Sequence, residues 1–418
     1  MYTKIFDLSQ KFIASFLLLL ISILTVEVKA GPARIIESKK GFLASEMFCA
    51  DRNYPIPTMA KGDRDFTQDC YKIGSFTNME RLFNSKKVLK SENYYPLEYT
   101  KVVSNSRLKS VFVDLIENYP LTALIVAKNN RIVTEYYGYS RKPDQRFASF
   151  SMHKSLNALL IGIAYDKNLI KNLDEPVVGY LEELSDTEWA SITIRQLLTM
   201  TSGIKAAQRK MLVPLLFGDS GILEEVIKQD SSIAPPGNVF SYNDANTLIL
   251  GKVIERVFNK PWNKVFESEI WRKIGSEDNA NVLTSRSGEI LTNAFFNARP
   301  RDYMRLGLMM ANNGRNFLGE QLISINWMNK MFGRGKEFTD CPIGAGKNCP
   351  GLGPFGYTYQ TWKSPSGSSI FFMGKYGQLI LINPAKKIVA VILSATKSGR
   401  WVHVFTKEMK IFLRELAN

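Results

Sequence analysis

Phe147-Ala-Ser-Phe-Ser-Met-His-Lys-Ser-Leu-Asn-Ala-Leu-Leu-Ile-Gly-Ile163 is the stretch on which the reading of this chain turns. From Ser151 onward, Leu156, Leu159, Leu160 and Ile163 recur at three- and four-residue spacing, the pattern of a helix with one buried stripe. Ser151 then stands at or next to the helix start, where free backbone N–H groups favour negative charge. Lys154 follows one turn later on the same face. A serine hydroxyl is a weak nucleophile until a base takes its proton. An amine one turn away is such a base if it is buried enough to be neutral near neutral pH, a condition the sequence leaves open. Ser-x-x-Lys also occurs at Ser106–Lys109, Ser202–Lys205 and Ser394–Lys397. Only the copy at Ser151 is set in apolar sequence, with Phe147, Phe150 and Met152 before the lysine, so a solvated surface lysine explains it poorly.

Working outward, the residue types exclude much other chemistry. A Ser-His-Asp relay needs a histidine, and the chain has two: His153, inside the Ser151 turn on another face, and His403, at the start of the last predicted helix. There is no Gly-x-Ser-x-Gly elbow, His-Glu-x-x-His metal pair, phosphate-binding loop or dinucleotide glycine motif. A serine enzyme here needs lysine or tyrosine as its base, and no metal or cofactor is expected.

The first thirty residues have the layout of a secretory signal: Lys4 and Lys11, an apolar run from Phe12 to Val26, then Val28-Lys29-Ala30 before Gly31. The apolar run is short for a membrane span, and an uncleaved anchor is the other reading. Export makes two disulfides the expected state of the four cysteines, most simply Cys49–Cys70 and Cys341–Cys349. Zinc is disfavoured because no Cys-x-x-Cys occurs. The 418-residue chain carries a net charge of +15, and +14 without residues 1–30. Its basic residues are scattered and accompany no nucleic-acid motif, so cell-envelope association or a merely soluble basic surface is expected, not nucleic-acid binding.

Residues 31–104 are irregular, rich in Pro, Asn, Lys and Tyr, and are read as an extension wrapped on the main body. A helix is predicted over Ser106–Asn118, then a hairpin of Thr122–Ala127 and Arg131–Tyr137. Residues 155–345 read as mostly helical, with helices at Thr193–Gly203, Asn243–Phe258 and Pro300–Asn312. Period-2 strands follow at Tyr357–Trp362, Ser369–Met373, Gln378–Ile382 and Ile388–Ser394, and a last helix at His403–Leu416. The economical fold is α+β: an antiparallel sheet built from both chain ends, flanked by terminal helices, with a mainly helical region inserted. The site belongs at the seam between sheet and helices.

Two further stretches supply candidate groups. Pro235-Pro-Gly-Asn-Val-Phe-Ser-Tyr-Asn-Asp-Ala-Asn246 sets Tyr242 just before a helix, beside Asn243 and Asp244. Phe372-Met-Gly-Lys-Tyr-Gly-Gln378 sets Lys375 and Gly377 where one strand gives way to the next. That is either a hairpin turn with a solvated lysine or an edge strand facing substrate, with Gly377 allowing close approach. In this order the three stretches resemble the serine β-lactamase and penicillin-binding-protein superfamily, most closely its class C-related esterases and amide hydrolases of the 6-aminohexanoate-dimer hydrolase type. Ser151-Met-His-Lys154 matches the family's Ser-x-x-Lys, Tyr242-Asn243-Asp244 its Tyr-x-Asn, and Lys375-Tyr376-Gly377 its Lys-Thr-Gly. Gly374-x-x-Gly377-Gln378 is similar to the amide-hydrolase variant, and Ile192-Thr-Ile-Arg-Gln-Leu-Leu-Thr-Met-Thr-Ser-Gly203 also looks like the family. The resemblance covers roughly 105–415, and the catalytic domain is expected over 105–418.

The resemblance implies an acyl-enzyme hydrolase of small esters, amides or peptides. Ser151 is then the nucleophile, Lys154 and Tyr242 move protons, and the backbone N–H groups of Ser151 and Gln378 form the oxyanion hole. Asp244, Lys375 and Gly377 contact substrate, with Lys375 drawing in a carboxylate. Two departures, Asp244 for asparagine and Tyr376 for threonine or a small residue, weaken the reading as a true β-lactamase. A D-alanyl carboxypeptidase or β-lactamase, and a catalytically silent binding or sensor protein, are the alternatives.

Overall fold

Apolar alternation decides the main sheet. In the computed structural model, which describes residues 48–58, 66–100, 106–205, 208–229, 231–333, 356–364 and 367–396, it appears as two differently clothed faces. The strands are β1 Ser85–Val88, β2 Glu98–Tyr99, β3 Leu121–Lys128, β4 Arg131–Tyr137, β5 Phe147–Ala148, β6 Ala280–Leu283, β7 Phe296–Ala298, β8 Gly356–Thr358, β9 Thr361–Lys363, β10 Ile370–Gly374, β11 Gln378–Asn383 and β12 Ile388–Ser394. Eight of them form one sheet in the order β2-β4-β3-β12-β11-β10-β9-β8, antiparallel throughout except where β2 joins β4. β3 and β12, from opposite ends of the chain, pair directly, with Ile125 opposite Val391.

Along β3 and β12, Ala123, Ile125, Ala127, Val389, Val391 and Leu393 enter the helical core, whereas Leu124, Val126, Ile388, Ala390 and Ile392 pack with Phe112, Leu115 and Ile116. The latter three belong to a helix that covers the outer face. Burying each Val, Leu or Ile among them contributes roughly 1.5–3 kcal/mol, so a one-residue slip of register, which exchanges the faces, is strongly opposed. The helices that matter for the site are α1 Asp69–Ser75, α2 Ser106–Asn118, α3 His153–Asp166, α4 Ile194–Leu198, α5 Gln208–Phe217, α6 Asp244–Phe258 and α7 Pro300–Ala311. α3 is buried from His153 to Ala164.

Several expectations need correction. The region read as mostly helical contains β6 and β7, which join β1 and β5 in a second sheet of order β1-β6-β7-β5. Strands of two to four residues are too short to show a period. The strand expected over Tyr357–Trp362 is a hairpin, β8 and β9, turning through Gln360 at φ 51°. The helix begun at Thr193 has a full capping box with Gln196 but stops at Leu198, after which Met200 takes φ 58°. β10 is not an edge strand, because β9 and β11 flank it; β9 pairs with it only at Ile370 and Phe371. Cys49 and Cys70 form a disulfide. Residues 1–30, Cys341, Cys349 and the helix expected over His403–Leu416 lie outside the described residues.

Candidate active site

The turn that carries Ser151 is built by close approach. Phe150–Met152 form a 3-10 turn leading into α3, and Phe150 has φ 45°. Ser149 ties this turn to β7: its N–H donates to the Phe296 carbonyl (2.8 Å), and its Oγ accepts from Phe296 N–H (3.1 Å). At the end of β10, Gly374 lets the sheet touch the turn, since a Cβ there would lie 2.2 Å from the Ser149 carbonyl oxygen. Any side chain at 374 pushes the Ser151 turn off the sheet.

Lys154 is buried on the first turn of α3. Its Nζ donates to Ser151 Oγ (3.2 Å) and to the Asn293 carbonyl (2.7 Å), and it lies 2.5 Å from Asp244 Oδ1. The Tyr242 ring centroid is 5.0 Å away, and the Tyr242 hydroxyl hydrogen-bonds with Ser151 and Lys154. Asn243 between them caps α6, its Oδ1 accepting from Ala245 N–H (3.0 Å), which turns Tyr242 and Asp244 toward α3. Burial pulls the Lys154 pKa down, but the Asp244 carboxylate and Tyr242 outweigh it, and the ammonium is held above the ordinary lysine value. Burial likewise pushes the Tyr242 phenol up; Lys154 opposes this and Asp244 adds to it. The sequence left open whether Lys154 is neutral; the approach of Asp244 and Tyr242 favours its ammonium form over the amine that burial alone would favour. Asp244, expected to face substrate, spends one oxygen on Lys154.

Ser151, Tyr242 and Asp244 open onto a cavity of about 510 Å³, within the roughly 300–1,000 Å³ of small-molecule sites. Gly374, Lys375 and Tyr376 line it as well, and Lys375 is exposed. Gly377 and Gln378 are not among the lining residues. Gly377, at φ 82°, approaches β12 instead, where a Cβ would meet Ser394 Oγ at 2.2 Å. The Gln378 side chain locks the turn: Nε2 donates to the carbonyls of Ser394 (2.7 Å), Tyr376 (3.1 Å) and Lys375 (3.2 Å).

Three aromatic residues on the cavity wall hold left-handed backbone: Phe150, Phe295 at φ 67° and Tyr376 at φ 62°. Such conformations cost bulky residues of order 1–3 kcal/mol each. The Phe150 ring packs against Phe295 (5.7 Å) and Tyr376 (5.2 Å), and Phe76 closes on Phe150 (4.8 Å) and Tyr376 (5.1 Å). Sequence reasoning named Phe150 and Tyr376 but not their left-handed backbone or mutual packing, and it missed Phe76, Phe295, Asn293 and Gln360. Gln360 is buried and ties the sheet to three helices, accepting from Ser155 Oγ and Thr247 Oγ1 and donating to the Leu197 carbonyl. A glutamine flanked by strand-like residues offers no local signal of such a role. Among the described residues no group of three or more His, Cys, Asp or Glu side chains is arranged to hold a metal.

Residues 108–406 match the profile of the Beta-lactamase family. The chain belongs to that family. Within it, a 6-aminohexanoate-dimer hydrolase of Paenarthrobacter ureafaciens is 24% identical over 288 residues, which is 65% of this chain and 72% of that protein. A Bacillus anthracis protein described as a 6-aminohexanoate-dimer hydrolase superposes with a TM-score of 0.75 at 21% identity, covering 87% of this chain and 98% of the other. A family VIII carboxylesterase gives 0.59 at 14% identity over 77% and 99%. At these identities the solved structures speak for a shared β-lactamase-like fold.

Proposed function

We propose that this protein is a serine hydrolase that cleaves small esters or amides through an acyl-enzyme on Ser151. The observation that carries the reading is the Ser151 Oγ to Lys154 Nζ hydrogen bond of 3.2 Å at the wall of a 510 Å³ cavity. Hydrolase names among the relatives support it. With Lys154 protonated at rest, the Ser151 proton cannot leave until Lys154 gives one up, and the shortest path is to Asp244 Oδ1. The amine so formed takes the Ser151 proton as Oγ attacks the carbonyl carbon. Tyr242 then passes a proton to the leaving oxygen or nitrogen, and water releases the acyl group. The N–H groups of Ser151 and Gln378 are the oxyanion donors in this reading, and Lys375 attracts an anionic end of the substrate.

The test is a fluorophosphonate probe, with peptide mass spectrometry of the adduct and p-nitrophenyl ester turnover in parallel. The expected result is a label on Ser151 with a burst followed by steady release. A folded protein that takes no label at Ser151 overturns the reading, and label without turnover favours the silent sensor. Nitrocefin hydrolysis would move the assignment to a β-lactamase, against which the engagement of Asp244 by Lys154 stands. We further propose that the protein is exported and works in or on the cell envelope, a reading supported by the Cys49–Cys70 disulfide and the basic net charge. No helix among the described residues is long and apolar enough to cross a membrane.

A further inference from the structure

The cavity has a second wall, made by parts of the chain that carry none of the groups assigned to chemistry. Phe66, 9% exposed, lines it from the N-terminal segment, and Leu212, Val213 and Leu216 line it from α5. Among the described residues, Thr67 is the polar side chain that the segment adds to the lining. An aromatic chain joins the two sources: Phe66 packs edge-on against Phe83 (5.2 Å), and Phe83 against Phe217 at the end of α5 (6.0 Å). The segment is pinned elsewhere by the Cys49–Cys70 bridge, by Ala148 N–H donating to the Phe76 carbonyl (2.8 Å), and by the Arg146–Glu80 ion pair (2.6 Å). Its side chains are thus held in place before a ligand arrives, which limits the ordering cost of binding.

We propose that Phe66 and Leu216 form a specificity subsite for a flexible hydrocarbon arm of several carbons on one side of the scissile bond. The substrates are then esters or amides bearing such an arm, in preference to compact polar ones, and residues 66–83 are a working part of the substrate site. This rests on the serine-hydrolase reading above.

The experiment compares kcat/KM across two series in the full chain: p-nitrophenyl acetate, butyrate, hexanoate and octanoate, and ethyl, butyl and hexyl acetate. In one series kcat/KM should rise about fourfold per added methylene until the subsite is full. Phe66→Ala should lower the hexyl-to-short-chain ratio in that series about tenfold, and Leu216→Trp, which fills the space, should move the optimum to shorter chains. Thermal melts and fluorophosphonate labelling of Ser151 accompany each variant. Labelled, folded protein whose kcat/KM is flat with chain length in both series, or whose preference neither variant moves, overturns the subsite and leaves the hydrolase reading intact. Absence of Ser151 labelling in the wild type overturns both.

Discussion

Two ion pairs in this molecule, each built on a buried charge, differ in what surrounds them. Glu135 on β4 is 2% exposed and receives Arg301 of α7 through two hydrogen bonds (2.9 and 3.0 Å), with the hydroxyls of Tyr99 and Tyr137 at 2.6 Å each. Both its oxygens are saturated, and it is absent from the lining of the site cavity. Lys154 and Asp244 are buried as deeply, yet Lys154 spends one of its bonds on a serine hydroxyl that faces a cavity. The first pair clamps a strand to a helix. The second reaches a hydroxyl at a cavity wall, and that difference, rather than burial or charge, is what singles it out for the proposed chemistry. Burial of an ion pair alone would have pointed to both sites equally.

The largest expected effect that sharpens this contrast is Ser151→Ala, which should lower ester turnover by about four orders of magnitude or more with an unchanged melting temperature. Activity near wild type would relocate the nucleophile. Glu135→Ala should act the other way round, costing about 3–5 kcal/mol of stability by leaving Arg301 unpaired, while the folded fraction keeps its kcat. Chemical denaturation measures the first and active-site titration the second; a kcat loss per titrated site would dissolve the distinction drawn here. Tyr242→Phe should reduce kcat roughly 100-fold, in the range of general acid–base catalysis. An unaltered kcat would make Tyr242 a packing residue against Trp362, whose ring lies 5.6 Å away.

Asp244→Asn should have the subtlest signature, carried by pH. In the wild type the proton of Lys154 has an acceptor inside the site, so kcat/KM should vary little across about pH 7–9. Without the carboxylate, burial is less opposed, the Lys154 pKa falls from its raised value, and the proton must leave to solvent. A rising limb should then appear in kcat/KM as pH increases. Superimposable profiles would discard Asp244 as proton acceptor. The same pairing bears on stability. Because the folded-state pKa of Lys154 is raised, its contribution is full below the unfolded lysine value, about 10.4, and is lost as pH rises through the folded value.

How much of this was legible before folding depends on distance along the chain. The turn spacing of Ser151 and Lys154, the strands β3, β4 and β10 to β12, the capping of α4 by Thr193 and the start of α6 at Asn243 all follow from local periodicity and local hydrogen bonds. The β1-β6-β7-β5 sheet escaped because each strand is too short to impose a period, and its hydrogen bonds come from residues far apart in the chain. Gly377 was legible as a special backbone position, but what it approaches is β12 and not the cavity.

By itself, then, the sequence determined that a serine and a lysine stand one helical turn apart in apolar surroundings and that strand-like segments lie toward both chain ends, and it left Cys49–Cys70 as the simplest of three disulfide connectivities. Only the tertiary structure set the direction in which the Lys154 pKa moves, because that depends on the 2.5 Å approach of Asp244 from another helix, and the attraction of such a pair is much stronger in the protein interior than in water. It also decided the aromatic wall, where Phe150, Phe295 and Tyr376 keep left-handed backbone because packing against one another and against Phe76 offsets a local preference for other conformations.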